Sequence, residues 1–160
     1  MANIWRDPIF DRTSYDVMLA IQQIELWKKN HTPASEMYDL KGCLNLSDLV
    51  RIEDNIAYLS NLLTSYRYPV STYSKEWTIM GLPNENDMKR IVANIRSLFN
   101  GYYTPSNAED IPEAMVSYQD VNAIEHNLFL LKEMLDAMQS VFIQSGTYKC
   151  GATSRLPIRR

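Results

Sequence analysis

The chain has 160 residues, of which 46% are hydrophobic and 22% are charged, so it is long enough for one domain with a buried core and too apolar for general disorder. Its formal net charge of −3 argues against a nucleic-acid partner, because such proteins carry a basic surface. No stretch approaches the roughly 20 apolar residues of a membrane span, and residues 1–13 lack the pattern of a secretory signal, so we expect no membrane partner and synthesis in a cytoplasm.

The first predicted helix follows an N-terminal arm over 1–12. Thr13 is a good N-cap residue, and Asp16 three positions later completes the spacing of a capping box. Apolar residues then recur at steps of three and four, at Val17, Ala20, Ile24 and Trp27. This spacing predicts an amphipathic helix that ends near Asn30.

Three later segments share one pattern and predict three related helices. They are NLSDLVRIEDNIAYL at 45–59, NENDMKRIVANIRSL at 84–98 and SYQDVNAIEHNLFLL at 117–131. When Asp48, Asp87 and Asp120 are aligned, each copy has an N-cap residue three positions before the Asp. Each also has Ile four, Asn seven and Leu eleven positions after it. One apolar face per helix predicts an all-α bundle of about four amphipathic helices, three of them related capped repeats.

The segments between these helices set the predicted boundaries. We expect the second helix to run from Leu46 to about Tyr66, the third to end at Asn100-Gly101, and the fourth to end before Gly146. The linker at 70–83, rich in β-branched and aromatic residues, is predicted to be extended. The bundle domain therefore covers 1–145.

A C-terminal tail is predicted over 146–160, as an extended segment or a short hairpin. It carries the basic residues Lys149, Arg155, Arg159 and Arg160. Either a solvated terminus or a docking arm for an acidic partner fits this composition.

The asparagines shared by the three repeats, Asn55, Asn94 and Asn127, need an explanation because Asn is a poor residue for a helix interior. Each lies one position before an apolar stripe residue, at the edge of the predicted buried face. We expect each to form a hydrogen bond to a neighbouring loop or helix end rather than to bind a ligand. In the first helix the equivalent residue is Gln23.

Two glutamates, Glu53 and Glu125, occupy equivalent positions in the second and fourth helices. A carboxylate pair of this kind could hold metal in a helical bundle, but di-iron bundles need ExxH elements, and the sequence has none. The third helix has Val92 at this position. We therefore expect both glutamates to be solvated on the surface.

The remaining reactive residues give no sign of a site. His31 and His126 lack a partner at metal-ligand spacing, and Cys43 and Cys150 form no CxxC pair, so two reduced thiols are expected. With five glycines there is no phosphate-binding loop. We predict no catalytic, cofactor-binding or metal-binding residues, no cofactor, and a protein that is not an enzyme.

Five short motifs in a fixed order carry a family resemblance. They are DRTSYDV at 11–17, LSDLVRIEDNIAYL at 46–59, Trp77, RIVANIRSL at 90–98 and VNAIEHNLFLL at 121–131. Their order resembles a module in tail and baseplate structural proteins of phages infecting Firmicutes. Val50 stands where that family usually has Asn, and Ala123 where the motif has Arg. The resemblance implies a virion protein and no catalytic residues.

The leading functional hypothesis is a non-enzymatic virion structural protein. It would be an adaptor in a phage tail, baseplate or neck, or in a related contractile particle, present in several symmetric copies bound to other virion structural proteins. Loop aromatics would contact the neighbouring subunits, namely Trp5, Phe10, Trp77, Tyr102 and Tyr103. The alternative is a cytoplasmic helical interaction or regulatory module that binds a partner helix in a groove. A bundle enzyme or metal protein is the third class.

Overall fold

The computed structural model describes residues 4–79 and 81–145, and these residues contain four α-helices and no strand. The helices are α1 (Ser14–Lys29), α2 (Leu46–Ser65), α3 (Glu85–Gly101) and α4 (Tyr118–Ser145), with a short 3-10 turn at Ala34–Glu36. The predicted all-helical bundle is confirmed. The predicted tail at 146–160 lies outside the described residues.

All four helices begin with the predicted capping arrangement. The carboxylate at the third helical position accepts a hydrogen bond from the backbone N–H of the N-cap residue. The residues are Asp16, Asp48, Asp87 and Asp120, at 2.8, 2.9, 3.2 and 2.8 Å. A carboxylate in the first turn also interacts favourably with the helix dipole. Each helix start is therefore determined locally by the sequence.

Helices α2, α3 and α4 form the core of the bundle and run in the same direction. Near their starts, Arg51 of α2 contacts Glu125 of α4, and Arg90 of α3 contacts Glu53 of α2. Farther along, Tyr102, just after α3, contacts Met138 of α4. The buried stripes consist of the predicted residues together with Val92 and Phe99 of α3, and Met115 from the linker before α4 packs into the same core.

Parallel helices need connections that return along the bundle, and two long linkers do this. The first linker covers residues 66–84. Along it, Val70 is hydrogen-bonded to Ser60, Tyr73 to Asn94 and Trp77 to Glu53. The second linker, residues 102–117, lies against α3 and α4. Residues 69–78 of the first linker are neither helix nor strand.

Helix α1 is packed differently from the others. Ala20 is its only buried residue, and its predicted stripe residues Val17, Ile24 and Trp27 are half-buried. The main helix–helix contacts are among α2, α3 and α4. Helix α1 instead packs against the loop before α2, where the Trp27 and Tyr38 rings meet edge to face with their centroids 5.2 Å apart.

Candidate functional site

The three shared asparagines bind backbone, as the sequence predicts. Each side-chain amide accepts from the N–H and donates to the carbonyl of one residue in a neighbouring segment. Asn55 binds Arg6 in the arm at 2.8 and 2.8 Å, Asn94 binds Tyr73 in the first linker at 3.0 and 2.7 Å, and Asn127 binds Glu109 in the second linker at 2.9 and 3.0 Å. Net, each hydrogen bond stabilises the fold by about 1 kcal/mol.

A fourth pair of this kind has no counterpart in the repeat. Asn122 of α4 binds the N–H and the carbonyl of Arg12 at 3.3 and 2.9 Å. Asn122 was not singled out from the sequence, because the equivalent positions of the other two repeats hold Val50 and Lys89. The side chain of Gln23, the expected equivalent in α1, makes no hydrogen bond within the part of the chain that the structure describes.

The first buried ion cluster joins the arm to α2 and α4. It consists of Arg12, Asp48, Arg51 and Glu125. Glu125, which is 0% exposed, accepts from Arg51 Nε and Nη2 at 2.8 Å each, and from Arg12 Nη2 at 3.1 Å. Asp48 accepts from the same two guanidinium groups, at 2.9 Å from Arg12 and 2.5 Å from Arg51. The backbone N–H of Ile9 completes the shell of Glu125 at 2.7 Å.

A second cluster has the same plan between α2 and α3. Glu53 is 2% exposed and pairs with Arg90 of α3, while the indole N–H of Trp77 donates to the same carboxylate at 3.3 Å. Arg90 Nη1 also donates to the carbonyl of Tyr73 at 2.6 Å. Each buried glutamate therefore receives one arginine from a neighbouring helix and at least one donor from an extended segment.

The clusters follow the register of the repeat. The arginine lies three positions after the capping Asp, and the glutamate five positions after it. Arg51 of α2 meets Glu125 of α4, and Arg90 of α3 meets Glu53 of α2. The third pair in this ring would join α4 to α3, and those positions hold Ala123 and Val92, both apolar and buried. The two charges are absent together, which avoids an unpaired buried charge.

The prediction that Glu53 and Glu125 are solvated on the surface is therefore wrong. Their spacing placed them beside the apolar stripe, but the sequence of one helix does not show which side chain faces it from the next. Arginines of a neighbouring helix and donors from distant segments hold both carboxylates in the interior. Within the fold, each carboxylate is paired with arginine from a neighbouring helix.

The charges in the first cluster also affect acid–base behaviour. Burial by itself would raise the pKa of Asp48, but hydrogen bonds from the Asn45 N–H and the Arg51 guanidinium, with the charge of Arg12, lower it below its usual 3.8. Burial, with the nearby Asp48 charge, raises the pKa of the Cys43 thiol. A raised pKa disfavours the thiolate that a nucleophile needs.

The two histidines lie in different surroundings. His31 lies in the turn after α1 with a positive φ of 50°, and His126 Nδ1 lies 2.6 Å from Glu109 while its ring stacks on Phe10. Across the described residues no group of three His, Cys, Asp or Glu side chains is placed to hold a metal ion. No helix within 4–79 and 81–145 combines the length and hydropathy that crossing a bilayer requires.

Of the aromatics expected at subunit contacts, most pack inside the chain. Trp77 is 9% exposed and belongs to the core, so the prediction is wrong for this residue. Trp5 packs on Tyr58 with ring centroids 5.8 Å apart, and the Tyr102 hydroxyl lies 3.1 Å from the sulfur of Met138. Only Tyr103 of the five is largely exposed, at 60%.

Two apolar surfaces are exposed instead. The first is the outer face of α1, where Tyr15, Met18, Leu19, Gln22 and Leu26 lie opposite the half-buried stripe. It borders a cleft of about 410 Å³ whose other wall includes Tyr38 and Leu40. The second, which we call the end patch, is a set of three separate exposed residues at one end of the bundle. Ile79, Leu82 and Val116 are 85–89% exposed and come shortly before α3 and α4.

Comparison with protein-family models, curated proteins and solved structures finds no match to this chain. In the first cluster Arg12 Nε is buried and has no hydrogen-bond partner among the described residues. The buried carboxylates are paired with arginine, so the exposed surfaces of α1 and of the bundle end are the candidate functional sites.

Proposed function

We propose that the protein is a non-enzymatic virion structural protein that acts as an adaptor in a phage tail, baseplate or neck, or in a related contractile particle. It is made in the host cytoplasm and binds other virion structural proteins, in several symmetric copies, and neither nucleic acid nor a membrane. The observation that carries the proposal is the pair of exposed apolar surfaces, the outer face of α1 and the end patch, on one small bundle. The motif order along residues 11–131 is a second support.

An adaptor has to hold its contact surfaces at fixed positions, and the bundle is built for this. The arm and both linkers are each tied to a helix by a paired asparagine amide, at Arg6, Tyr73 and Glu109. Two buried ion clusters also join the arm and the first linker to the helices. This cross-bracing supports a role in which contact surfaces are held at fixed positions.

Two separate surfaces fit a protein that joins two neighbours. Isolated exposed apolar residues are ordinary on monomers, but a cluster on one helix face is typical of a contact with another protein. The outer face of α1 and the end patch belong to different elements, so each could contact a different subunit. Carboxylates already satisfied by arginine, and a thiol with a raised pKa, favour this role over catalysis.

The proposal is tested by locating the chain in assembled particles. Cells that carry the gene with its natural neighbours would be lysed, particles purified by density gradient, and the chain quantified by mass spectrometry and located by electron cryomicroscopy. We expect a fixed number of copies per particle. If the wild-type chain is found only in the soluble fraction while complete particles form without it, the proposal is wrong.

Variants of the two surfaces make the test specific. Leu82→Glu with Val116→Glu changes the end patch, and Met18→Glu with Leu26→Glu changes the outer face of α1. Val141→Glu, at an exposed residue of α4, is the matched control. We expect the surface variants to fold, as judged by circular dichroism, and at least one of them to be lost from particles, while the control is incorporated normally.

The alternative is a cytoplasmic helical interaction or regulatory module. The observation in its favour is the cleft of about 410 Å³ beside α1, which offers Leu19, Leu26 and Tyr38 to an amphipathic helix. A soluble, stoichiometric complex with a cellular protein, in cells that form no particles, would support this alternative and contradict the virion proposal.

A further inference from the structure

The grooves between the core helices α2, α3 and α4 are each filled by an extended segment. The arm lies between α2 and α4, the first linker between α2 and α3, and the second linker between α3 and α4. In each groove an asparagine amide binds the N–H and the carbonyl of one residue of the segment. The three attachments are therefore alike in geometry and can be compared directly.

The arm differs from the two linkers in what it is joined to. Both linkers run from one core helix to the next, so neither can leave its groove without pulling on a core helix. Residues 4–12 of the arm continue instead into α1, whose only buried residue is Ala20 and which lies outside the main helix–helix contacts. The arm can therefore leave its groove while the three core helices stay packed.

The charge pairing of the first cluster survives release of the arm. Arg12 comes from the arm, whereas Arg51 belongs to α2 and contacts both Asp48 and Glu125, at 2.5 and 2.8 Å. Without Arg12, each carboxylate keeps an arginine partner, so no buried carboxylate is left alone. Within the described residues, Arg12 Nε is also the one buried side-chain polar atom without a partner, and water satisfies it once the arm is released. Both effects lower the free energy of opening.

The contacts beneath the arm recognise a particular extended sequence. The Trp5 ring packs on Tyr58 with the centroids 5.8 Å apart, and Arg6 Nε donates to Asp54 at 2.6 Å. Farther along, Arg12 inserts between the two buried carboxylates. An aromatic residue followed directly by arginine, with another arginine six positions later, therefore fits the groove. The arm of a second copy has this sequence and can form each of these contacts.

We propose that the arm is a releasable strap, and that the groove between α2 and α4 binds the arm of a neighbouring copy when its own arm is released. Arg12 of one copy then completes the buried cluster of the other. Within one chain, arm and groove meet at an effective concentration of about millimolar, so the chain's own arm fills the groove in dilute solution. A symmetric assembly brings neighbouring arms to comparable concentrations. Exchange of an identical segment between copies is a low-cost route to association.

The first test is amide hydrogen exchange of the unmodified full chain, with the asparagine clamps of the two linkers as internal references. We expect protection factors at least about 100-fold lower for the N–H groups of Arg6 and Ile9 than for those of Tyr73 and Glu109. Exchange of the arm amides should also depend weakly on urea, because release exposes little surface compared with global unfolding. Equal protection in the arm and the linkers would show that the arm is not separately releasable, and would overturn the proposal.

The second test detects the arm of one copy in the groove of another. In a background of Cys43→Ser and Cys150→Ser, one preparation carries Arg6→Cys and another carries Asp54→Cys. Once circular dichroism has shown that both are folded, they are mixed at about millimolar concentration and treated with a short bis-maleimide. Because docking holds the two thiols together, we expect at least about fivefold more cross-linked heterodimer than with Glu25→Cys, on exposed α1, in place of Asp54→Cys. A yield no higher than that of this control pair overturns the proposal.

This inference goes beyond the proposed adaptor role and rests on it only for the presence of neighbouring copies. The two can fail separately. A chain that is found in particles, but whose arm is as protected as its linkers, refutes the strap alone. A chain whose arms exchange in solution but which is absent from particles refutes the virion proposal alone.

Discussion

Helix α1 and the bundle of α2, α3 and α4 begin with the same capping arrangement and carry the same apolar spacing, yet they are packed differently. In the bundle, the stripes are buried against each other and the helix edges carry buried Asn, Arg and Glu residues that bind extended segments. In α1 only Ala20 is buried, and Gln23 replaces the clamping Asn. The comparison shows that apolar spacing makes a helix amphipathic, whereas the polar residues beside the stripe decide which helices are joined together.

The largest expected effect is at Glu125. Glu125→Gln should lower the free energy of unfolding by about 3–5 kcal/mol, because Arg12 and Arg51 would stay buried without their full counter-charge. The measurement is urea denaturation followed by circular dichroism. Glu25→Gln on exposed α1 is the control and should change stability by less than about 0.5 kcal/mol. Equal losses of unfolding free energy from the two changes would mean that the buried carboxylate of the bundle contributes no more to stability than an exposed carboxylate of α1.

Val92 and Ala123 occupy the positions where a third buried ion pair would lie, and they give a sharper test. Val92→Glu should cost about 3 kcal/mol or more, because an unpaired carboxylate would be buried at a 0% exposed site. Adding Ala123→Arg should recover about 1–3 kcal/mol of coupling energy in a double-mutant cycle if the register of the two existing clusters extends to α3 and α4. Strictly additive effects would show that residues 92 and 123 do not face each other as the pairs of the two existing clusters do.

Gly42, in the loop before α2, packs against the backbone of α1, so its substitution should affect α1 and leave the bundle of α2–α4 intact. A Cβ at this position would lie 2.1 Å from the carbonyl oxygen of Asp16 and 2.6 Å from Cα of Val17, both backbone atoms that cannot move alone. Gly42→Ala should therefore destabilise the packing of α1 by about 1–3 kcal/mol. Hydrogen exchange should show α1 losing protection while α2–α4 keep theirs. Gly81→Ala, where the nearest atom is the Thr78 hydroxyl at 3.3 Å, is the control.

The asparagine clamps should give a smaller, local effect. Asn94→Ala should cost about 1–2 kcal/mol, because the N–H and the carbonyl of Tyr73 lose their partners in the fold. Gln23→Ala in α1 is the matched change at the equivalent position and should be nearly neutral. A greater loss with Gln23→Ala than with Asn94→Ala would contradict the assigned roles.

The smallest effect concerns pH. The pKa of Asp48 is lower in the folded chain than its usual 3.8, so the unfolded chain binds a proton at this site more readily near pH 4. The stabilisation is therefore present above about pH 4 and is lost as the pH falls through the folded pKa. Asp48→Asn should flatten the decline of unfolding free energy between about pH 5 and 3. An unchanged slope would mean that Asp48 contributes nothing to acid sensitivity.

The sequence alone determined the local structure of this protein. Capping pairs such as Thr13 with Asp16, and steps of three and four between apolar residues, depend on neighbours in the chain, so helix starts and faces could be predicted. The shared asparagines were also predicted to bind a loop, because a repeated polar residue at the edge of an apolar stripe needs a partner.

The tertiary structure decided what those helices meet. Glu125 contacts Arg51, 74 positions away, and Ile9, 116 positions away, and no local pattern encodes such pairs. The parallel direction of α2–α4, the burial of Trp77 and the exposure of α1 were likewise decided by long-range packing. The physical reason is that capping and helical periodicity act over a few residues, whereas the burial of a charge depends on side chains that only folding brings together.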